Sequence, residues 1–255
     1  MSLRSAVRPF GVLVLAALAF AGTRCLAGNT EFMQRYHLKP GGSFELSNVN
    51  GTVRIEAWDE DVVEVRAVKS STDKNSNLDL VSIDIDSKPD ALSISTHYPQ
   101  EKGVEVAVDY TIHVPRKALL SHVNTVNGTL SVMESDSVGD LHTVNGNIEV
   151  YGSSGNVHAH TTNGNVYLEL KNPSDARGAQ AETTNGSVML AIPANIQANL
   201  EARCMNGSFT SDLPVEMQGA VQPRVLHGKL GHGGVPIRLG TVNGAIRVVA
   251  LRAAI

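Results

Sequence analysis

The short motif Thr-x-Asn-Gly, returning along the chain at near-constant spacing, restricts what this sequence can fold into more than any other feature. It occupies residues 125–128, 143–146, 161–164, 183–186 and 241–244, with looser copies at Asn48-Val49-Asn50-Gly51 and Cys204-Met205-Asn206-Gly207. The Asn positions are 50, 127, 145, 163, 185, 206 and 243, so the gaps are 77, 18, 18, 22, 21 and 37. Four consecutive gaps near twenty residues mark a recurring supersecondary unit. A unit of that length cannot bury its apolar face alone and must stack on its neighbours.

Aligning the units on Asn-Gly gives columns. Two places before Asn stand Asn48, Thr125, Thr143, Thr161, Thr183, Cys204 and Thr241, and four places before stand Leu46, Val123, Leu141, Ala159, Ala181, Ala202 and Leu239. Apolar residues also alternate after each Gly, as at Ile148 and Val150 or Val166 and Leu168. Period two on both sides of the motif predicts strands with one face inward and one outward. The Asn-Gly pairs, Asn50-Gly51, Asn127-Gly128, Asn145-Gly146, Asn163-Gly164, Asn185-Gly186, Asn206-Gly207 and Asn243-Gly244, are expected at the corners, because both residues tolerate positive φ.

Two all-β architectures satisfy these columns. In an antiparallel meander each Asn-Gly is a two-residue hairpin turn, and equivalent residues lie two strands apart. In a β-solenoid each unit is one coil, and equivalent residues stack in ladders about 4.8 Å apart. A coil of this size holds about 65 Å of extended chain, enough for a two- or three-sided turn. The solenoid is the preferred reading, because stacked Thr and stacked Asn can then hydrogen-bond to their own kind. Thr125, Thr143, Thr161, Thr183, Cys204 and Thr241 are the expected structural ladder, with Cys204 a small inward replacement for Thr.

Residues 1–27 read as a secretory signal. Arg4 and Arg8 precede an apolar run over 10–21, and small residues follow, ending at Ala27. Its removal takes away three Arg and no acid, leaving 18 basic and 25 acidic residues, a net charge of −7. That balance argues against nucleic acid and anionic membrane as partners. Without Cys25, Cys204 has no intramolecular disulfide partner. No second apolar span follows, so no transmembrane segment is expected after cleavage.

Residues 28–39 form a polar lead-in, and 40–255 read as one β-repeat domain, with N-terminal strands over 40–115 and the repeat region over 116–255. The strands between 59 and 115 lack Asn-Gly corners and are expected to form a sheet that covers the first coil, since an open coil exposes a strand edge. Residues 213–236, rich in Gly and Pro, read as a long excursion on one face. With aromatics at only 4%, the core must be built from Val, Ile, Leu, Ala and Thr.

Several stretches together resemble the bacterial putative-adhesin family: Val49 through Trp58, the strand from Val108 to Pro115, the Thr-x-Asn-Gly units, and the closing Gly240-Thr241-Val242-Asn243-Gly244-Ala245-Ile246-Arg247-Val248. That resemblance implies an exported β-repeat domain with no assigned catalytic residue.

Candidate chemistry is sparse. His142, His160 and Glu182 share one outward column, with Asp140 and His158 two residues earlier on the same face. Two His and a carboxylate are zinc-type ligands, yet structural zinc wants four closed ligands. The column reads more simply as a solvated outer ladder. Asp84 and Asp86 read as a soluble face, and residues 59–61 as an acidic turn beside Trp58. No metal, cofactor or catalytic residue is assigned. The expected role is a secreted or envelope-associated, non-enzymatic module that binds an envelope component, glycan or protein. A carbohydrate-active enzyme on the same scaffold is the alternative.

Overall fold

The computed structural model describes residues 29–72, 78–99, 105–154, 156–171, 178–218 and 224–251. The expected signal segment lies outside them. Two mixed β-sheets of eleven and ten strands face each other, and neither closes on itself. The eleven-stranded sheet carries the strands that lead into the Asn-Gly corners, and the ten-stranded sheet carries those that leave them. They are called here the approach sheet and the exit sheet.

Matching residues of successive units pair in parallel. Leu141, His142, Thr143 and Asn145 lie beside Ala159, His160, Thr161 and Asn163, and these lie beside Ala181, Glu182, Thr183 and Asn185. The exit strands repeat the arrangement, with Ile148 and Val150 beside Val166 and Leu168. An antiparallel meander is incompatible with this register. Each unit is a layer, named below by its corner Asn.

The inward columns form the core between the sheets. Leu46, Val123, Leu141, Ala159, Ala181, Leu239 and Ala202 on the approach side, and Ile55, Val132, Val150, Leu168, Leu190 and Val248 on the exit side, are all buried. Each Val, Leu or Ile so buried contributes about 1.5–3 kcal/mol. The Thr column closes this core at the corner: Thr143 and Thr161 are wholly inaccessible.

Two expectations about the corner need correction. The Thr hydroxyls do not bond to one another. Each donates to a Gly carbonyl of an adjoining layer: Thr143 to Gly128 at 3.1 Å, Thr161 to Gly146 at 2.9 Å, Thr183 to Gly164 at 2.8 Å and Thr241 to Gly186 at 2.8 Å. Thr125 reaches Gly51 at 3.4 Å, and the Cys204 thiol points to the Gly244 carbonyl at 3.3 Å. These carbonyls are turned between the layers, where an unpaired acceptor would be costly, and the hydroxyl is the donor within reach. Nor do the corner Asn residues adopt positive φ; among the described non-Gly residues only Glu134, Asn156 and Arg224 do. The glycines do so at four corners, Gly51, Gly164, Gly186 and Gly244, and close approach is a second requirement for glycine. A Cβ on Gly128, Gly146, Gly164, Gly186, Gly244 or Gly207 would run into the carbonyl of the Gly in the adjoining layer.

The Asn ladder forms as expected. Nδ2 of Asn127, Asn145, Asn163, Asn185, Asn243 and Asn206 each donates to the Oδ1 of the preceding rung, Asn50 through Asn243, at 2.8–2.9 Å. All six bonds point the same way, so they polarise one another along the row.

The order of layers in space departs from the order in sequence at both ends. The Asn243 layer slots between the Asn185 and Asn206 layers: Thr241 pairs with Thr183 on one side and Cys204 on the other. The chain therefore builds its outermost corner before the one beneath it. Residues 213–236, expected as an excursion, contain strands Glu216–Met217 and Val225–Leu230. The latter runs antiparallel along Ala198–Asn206 and covers its edge. At the other end, Ala91–His97 and Val106–Pro115 add a further layer parallel to the Asn50 layer. Ser82–Lys88, Val62–Ser71 and Asn29–His37 then cap it in antiparallel fashion. The N-terminal strands thus cover the first repeat, but by extending both sheets rather than forming one of their own. The polar lead-in is largely strand Asn29–His37, its Phe32, Gln34 and Tyr36 on the less exposed face.

The corner contacts set the expected mutational costs. Thr161→Val should destabilise by about 1–2 kcal/mol, because Gly146 O loses its side-chain donor. Gly146→Ala should cost about 3 kcal/mol or more, since the methyl collides with backbone rather than with a flexible side chain. Urea denaturation of both variants measures this; equal midpoints for Gly146→Ala and wild type would remove the close-approach explanation.

Candidate binding face

Outward residues of the approach strands line up across layers because the core and corner columns fix the register. The column five places before Asn runs Glu45, His122, Asp140, His158, Gln180, Arg238 and Glu201, in spatial order. The column three places before Asn runs Ser47, Asn124, His142, His160, Glu182, Gly240 and Arg203. Titratable side chains thus stand in two rows along one face of the stack.

Within the rows, neighbours pair. The Asp140 carboxylate sits between two rings, with Oδ2 3.2 Å from His122 Nε2 and Oδ1 3.2 Å from His158 Nδ1. His142 and His160 stack face to face at 5.3 Å with planes 5° apart. Beyond them, His160 Nδ1 is 3.8 Å from Glu182 Oε2, and Gln180 Nε2 donates to Glu182 Oε1 at 2.9 Å. Toward the C-terminal end the chemistry turns cationic. Arg203 contacts Glu201 Oε1 at 2.6 Å, while Arg238 Nε stands 3.8 Å from its Oε2. These pairs are exposed, so each adds little stability.

Two shallow depressions mark this face. One, about 290 Å³, is bordered by Asp140, His142, His158, His160 and Glu182. The other, about 350 Å³, is bordered by Glu182, Glu201, Arg203 and Arg238, above Gly240. Gly240 opens the second one: it is the position in its column without a side chain, and the Glu182 stem passes beside it.

The residues weighed as metal ligands are brought together, but the Asp140 and Glu182 carboxylates are turned to neighbouring side chains and His142 meets His160 by ring stacking. Among the described residues no group of three or more His, Cys, Asp or Glu side chains is arranged to hold a metal ion. The other acidic candidates have local partners: Asp84 with His97, Asp86 with Lys88, Asp59 with Arg116 and Glu60 with Arg35. The Cys204 thiol is pushed up from its ordinary pKa by burial, which disfavours the reactive thiolate.

His122, Gln180, Glu201 and Arg238 were not singled out from sequence. His122 was within reach, since it shares the column of Asp140 and His158. Arg238 and Glu201 were not, because sequence order places the Asn206 layer directly after the Asn185 layer and leaves Arg238 remote from both.

Residues 42–249 match the family described as Toastrack DUF4097. The chain belongs to that family. Its Toastrack region spans the whole layered stack, in keeping with the adhesin-like resemblance of the motifs. Among solved structures, a putative cell adhesion protein from Clostridium sporogenes ATCC 15579 is 13% identical with a TM-score of 0.55, over 87% of this chain and 100% of the other. That likeness is one of fold. A putative adhesin from Bacteroides fragilis NCTC 9343 (10% identical, TM-score 0.37, covering 87% and 97%) and a putative lipid binding protein from Parabacteroides distasonis ATCC 8503 (10%, 0.31, 87% and 97%) superpose too loosely to carry an argument. No protein with a curated description matches this Toastrack chain.

The stacked rings make a pH prediction. Partial burial, then repulsion from His160, lowers the His142 pKa below its ordinary 6.5. The unfolded chain therefore takes up a proton at this site first as pH falls through 6.5. His142 withdraws stability on acidification and does not above that pH. Stability measured by denaturant melts from neutral to mildly acidic pH should fall less steeply for His142→Asn than for wild type. An identical slope for the two would exclude this role.

Proposed function

We propose that this domain is an exported, non-enzymatic β-solenoid module that binds an envelope component, glycan or protein, through the outer face of its approach sheet. The observation that carries the reading is the unbroken register of the two outward rows. From His122 to Arg203 they cross six neighbouring strands, about 24 Å at the ordinary strand spacing. Rigid ladders of this kind let modest contacts add along their length. The rows present carboxylates, imidazoles, two amides and guanidinium groups, which suit hydroxyl-rich or charged polymers. The depressions are shallow and open, which favours surface contact over a reaction that needs water excluded. Export is supported by the N-terminal signal pattern and by the adhesin-like character of the family.

The test is capture of bacterial envelope fractions and arrayed glycans by the chain from residue 28. A variant combining His160→Ser, Glu182→Ser and Arg203→Ser should lose capture by about tenfold or more, with its circular dichroism unchanged. Glu149→Gln, on the opposite face, should bind as wild type. Equal capture by the triple variant would sink the assignment of this face, and turnover of any captured polysaccharide would sink the non-enzymatic reading.

A further inference from the structure

The seven Asn-Gly corners are chemically alike in sequence and unlike in the fold. An Asn-Gly bond is prone to a self-reaction: the backbone nitrogen of Gly attacks the Asn side-chain carbonyl carbon. The carbon–Nδ2 bond breaks and ammonia leaves, carrying the proton that the backbone nitrogen gives up through solvent. The resulting five-membered succinimide is opened by water at either carbonyl, giving aspartate or isoaspartate. No oxidant or cofactor is consumed. Asn is for this reason counted among the labile residues.

The reaction requires a backbone N–H free to become a nucleophile and a carboxamide free to turn toward it. Six corners withhold the first. The N–H groups of Gly51, Gly128, Gly146, Gly164, Gly186 and Gly244 each donate to the carbonyl of the Asn in the next layer, at 2.9–3.1 Å. Most withhold the second as well. Asn127, Asn145, Asn163, Asn185 and Asn243 are held at both ends of the carboxamide, donating to one neighbour and accepting from the other. Asn50 is held at Oδ1 only, but its Gly51 N–H is bonded to Asn127 O at 2.9 Å.

The Asn206 corner is the last rung. Its Nδ2 donates to Asn243 Oδ1 at 2.9 Å, and among the described residues nothing donates to its own Oδ1 and nothing accepts from the Gly207 N–H. Val225–Leu230 covers the approach strand of this layer, yet that cover ends with the Cys204 N–H bonded to Arg224 O at 2.9 Å, short of the corner. Residues 205–208 are exposed to solvent. On the exit side, strand Phe209–Ser211 is the outermost strand of its sheet.

We propose that Asn206–Gly207 is a site of spontaneous succinimide formation and deamidation, and that the other six corners are shielded from it by the stack. Conversion has a structural consequence. A carboxylate at position 206 loses the donor that Asn243 Oδ1 accepts and sets an anion against that oxygen. Isoaspartate further lengthens the main chain at the corner, so Phe209–Ser211 can no longer keep its register on Ile246–Val248. The terminal exit strand is then released while the layers beneath it stay paired.

The experiment is incubation of the full chain from residue 28 at mildly alkaline pH, folded and in urea, with time-resolved peptide mapping that separates aspartate from isoaspartate at each corner. In urea all seven corners should convert at comparable rates. In the folded protein the six shielded corners should slow by about tenfold or more, while Asn206 stays within about threefold of its unfolded rate. Folded-state suppression at Asn206 equal to that at Asn145 would overturn the proposal, as would unsuppressed conversion at Asn145 and Asn163. Asn206→Ser should remove the fastest folded-state isoaspartate peptide and leave the other six corners at their suppressed rates; a shielded corner that converts in the folded variant as fast as Asn206 does in wild type would overturn the assignment.

Discussion

A glycine carbonyl turned from one layer into the next is the contact on which the structure depends. It faces the corner glycine of the adjoining layer, where a single methyl group would not fit, and a buried Thr hydroxyl satisfies it. Close approach and hydrogen bonding thereby demand Gly and Thr at fixed places in every layer. With the layers at that distance, the carboxamides of successive Asn residues come within 2.8 Å and link in one direction. The corner thus sets the register. A slip of one residue would bury the outward row and expose the apolar one, so the core enforces the same choice.

A stack of parallel strands leaves two raw ends, each an open edge above an apolar core. The chain meets this at both ends by going past the layer it has built and turning antiparallel. At the N-terminal end it lays the Asn50 layer, passes outward to Val62–Ser71 and Ser82–Lys88, and returns to fill the layer between with Ala91–His97 and Val106–Pro115. At the C-terminal end it lays the Asn206 layer first, caps it with Val225–Leu230, and returns to fill the gap beneath with the Asn243 layer. The 37-residue gap between Asn206 and Asn243 is the length of chain this detour consumes. Phe209, in the last exit strand, is only half-buried at the end of the core, whereas Ile246 one layer beneath is fully covered.

Much of this was legible in the sequence, and what was not has physical reasons. The alternation around Leu141, Thr143, Ile148 and Val150 identified strands, faces and matching columns, because period two and a fixed repeat length are local signals. The Asn row followed from stacking alone. The Thr bonds did not, because which acceptor a hydroxyl finds depends on a backbone carbonyl whose direction no side-chain pattern reports. Positive φ was the wrong expectation for Asn and only part of the reason for Gly, which takes it at Gly51, Gly164, Gly186 and Gly244; the rest lies in a neighbour eighteen or more residues away. The inverted order of the last two layers was also hidden, since Thr241 fits beside Thr183 no worse in sequence than Cys204 does. That inversion decided how much of the candidate face could be foreseen. His142, His160 and Glu182 belong to consecutive layers and were placed correctly, whereas Arg238 and Glu201 meet only once the Asn243 layer is inserted.

The same inversion bears on the chemistry of the proposed binding face. Had the layers followed sequence order, Arg203 would stand directly beside Glu182, and the two would neutralise each other at strand spacing. Gly240 stands between them instead. The intervening position has no side chain, so Glu182 and Arg203 border one depression from opposite sides, each held by a neighbour in its own layer, Gln180 and Glu201. Inward positions are bound by packing and corner positions by the carbonyl contact, but nothing in the stack dictates which residue points outward at 182, 203, 238 or 240. Freedom of that sort is where a scaffold carries specificity. The glycine gap between opposite charges is therefore the feature that most distinguishes this face from a merely solvated sheet.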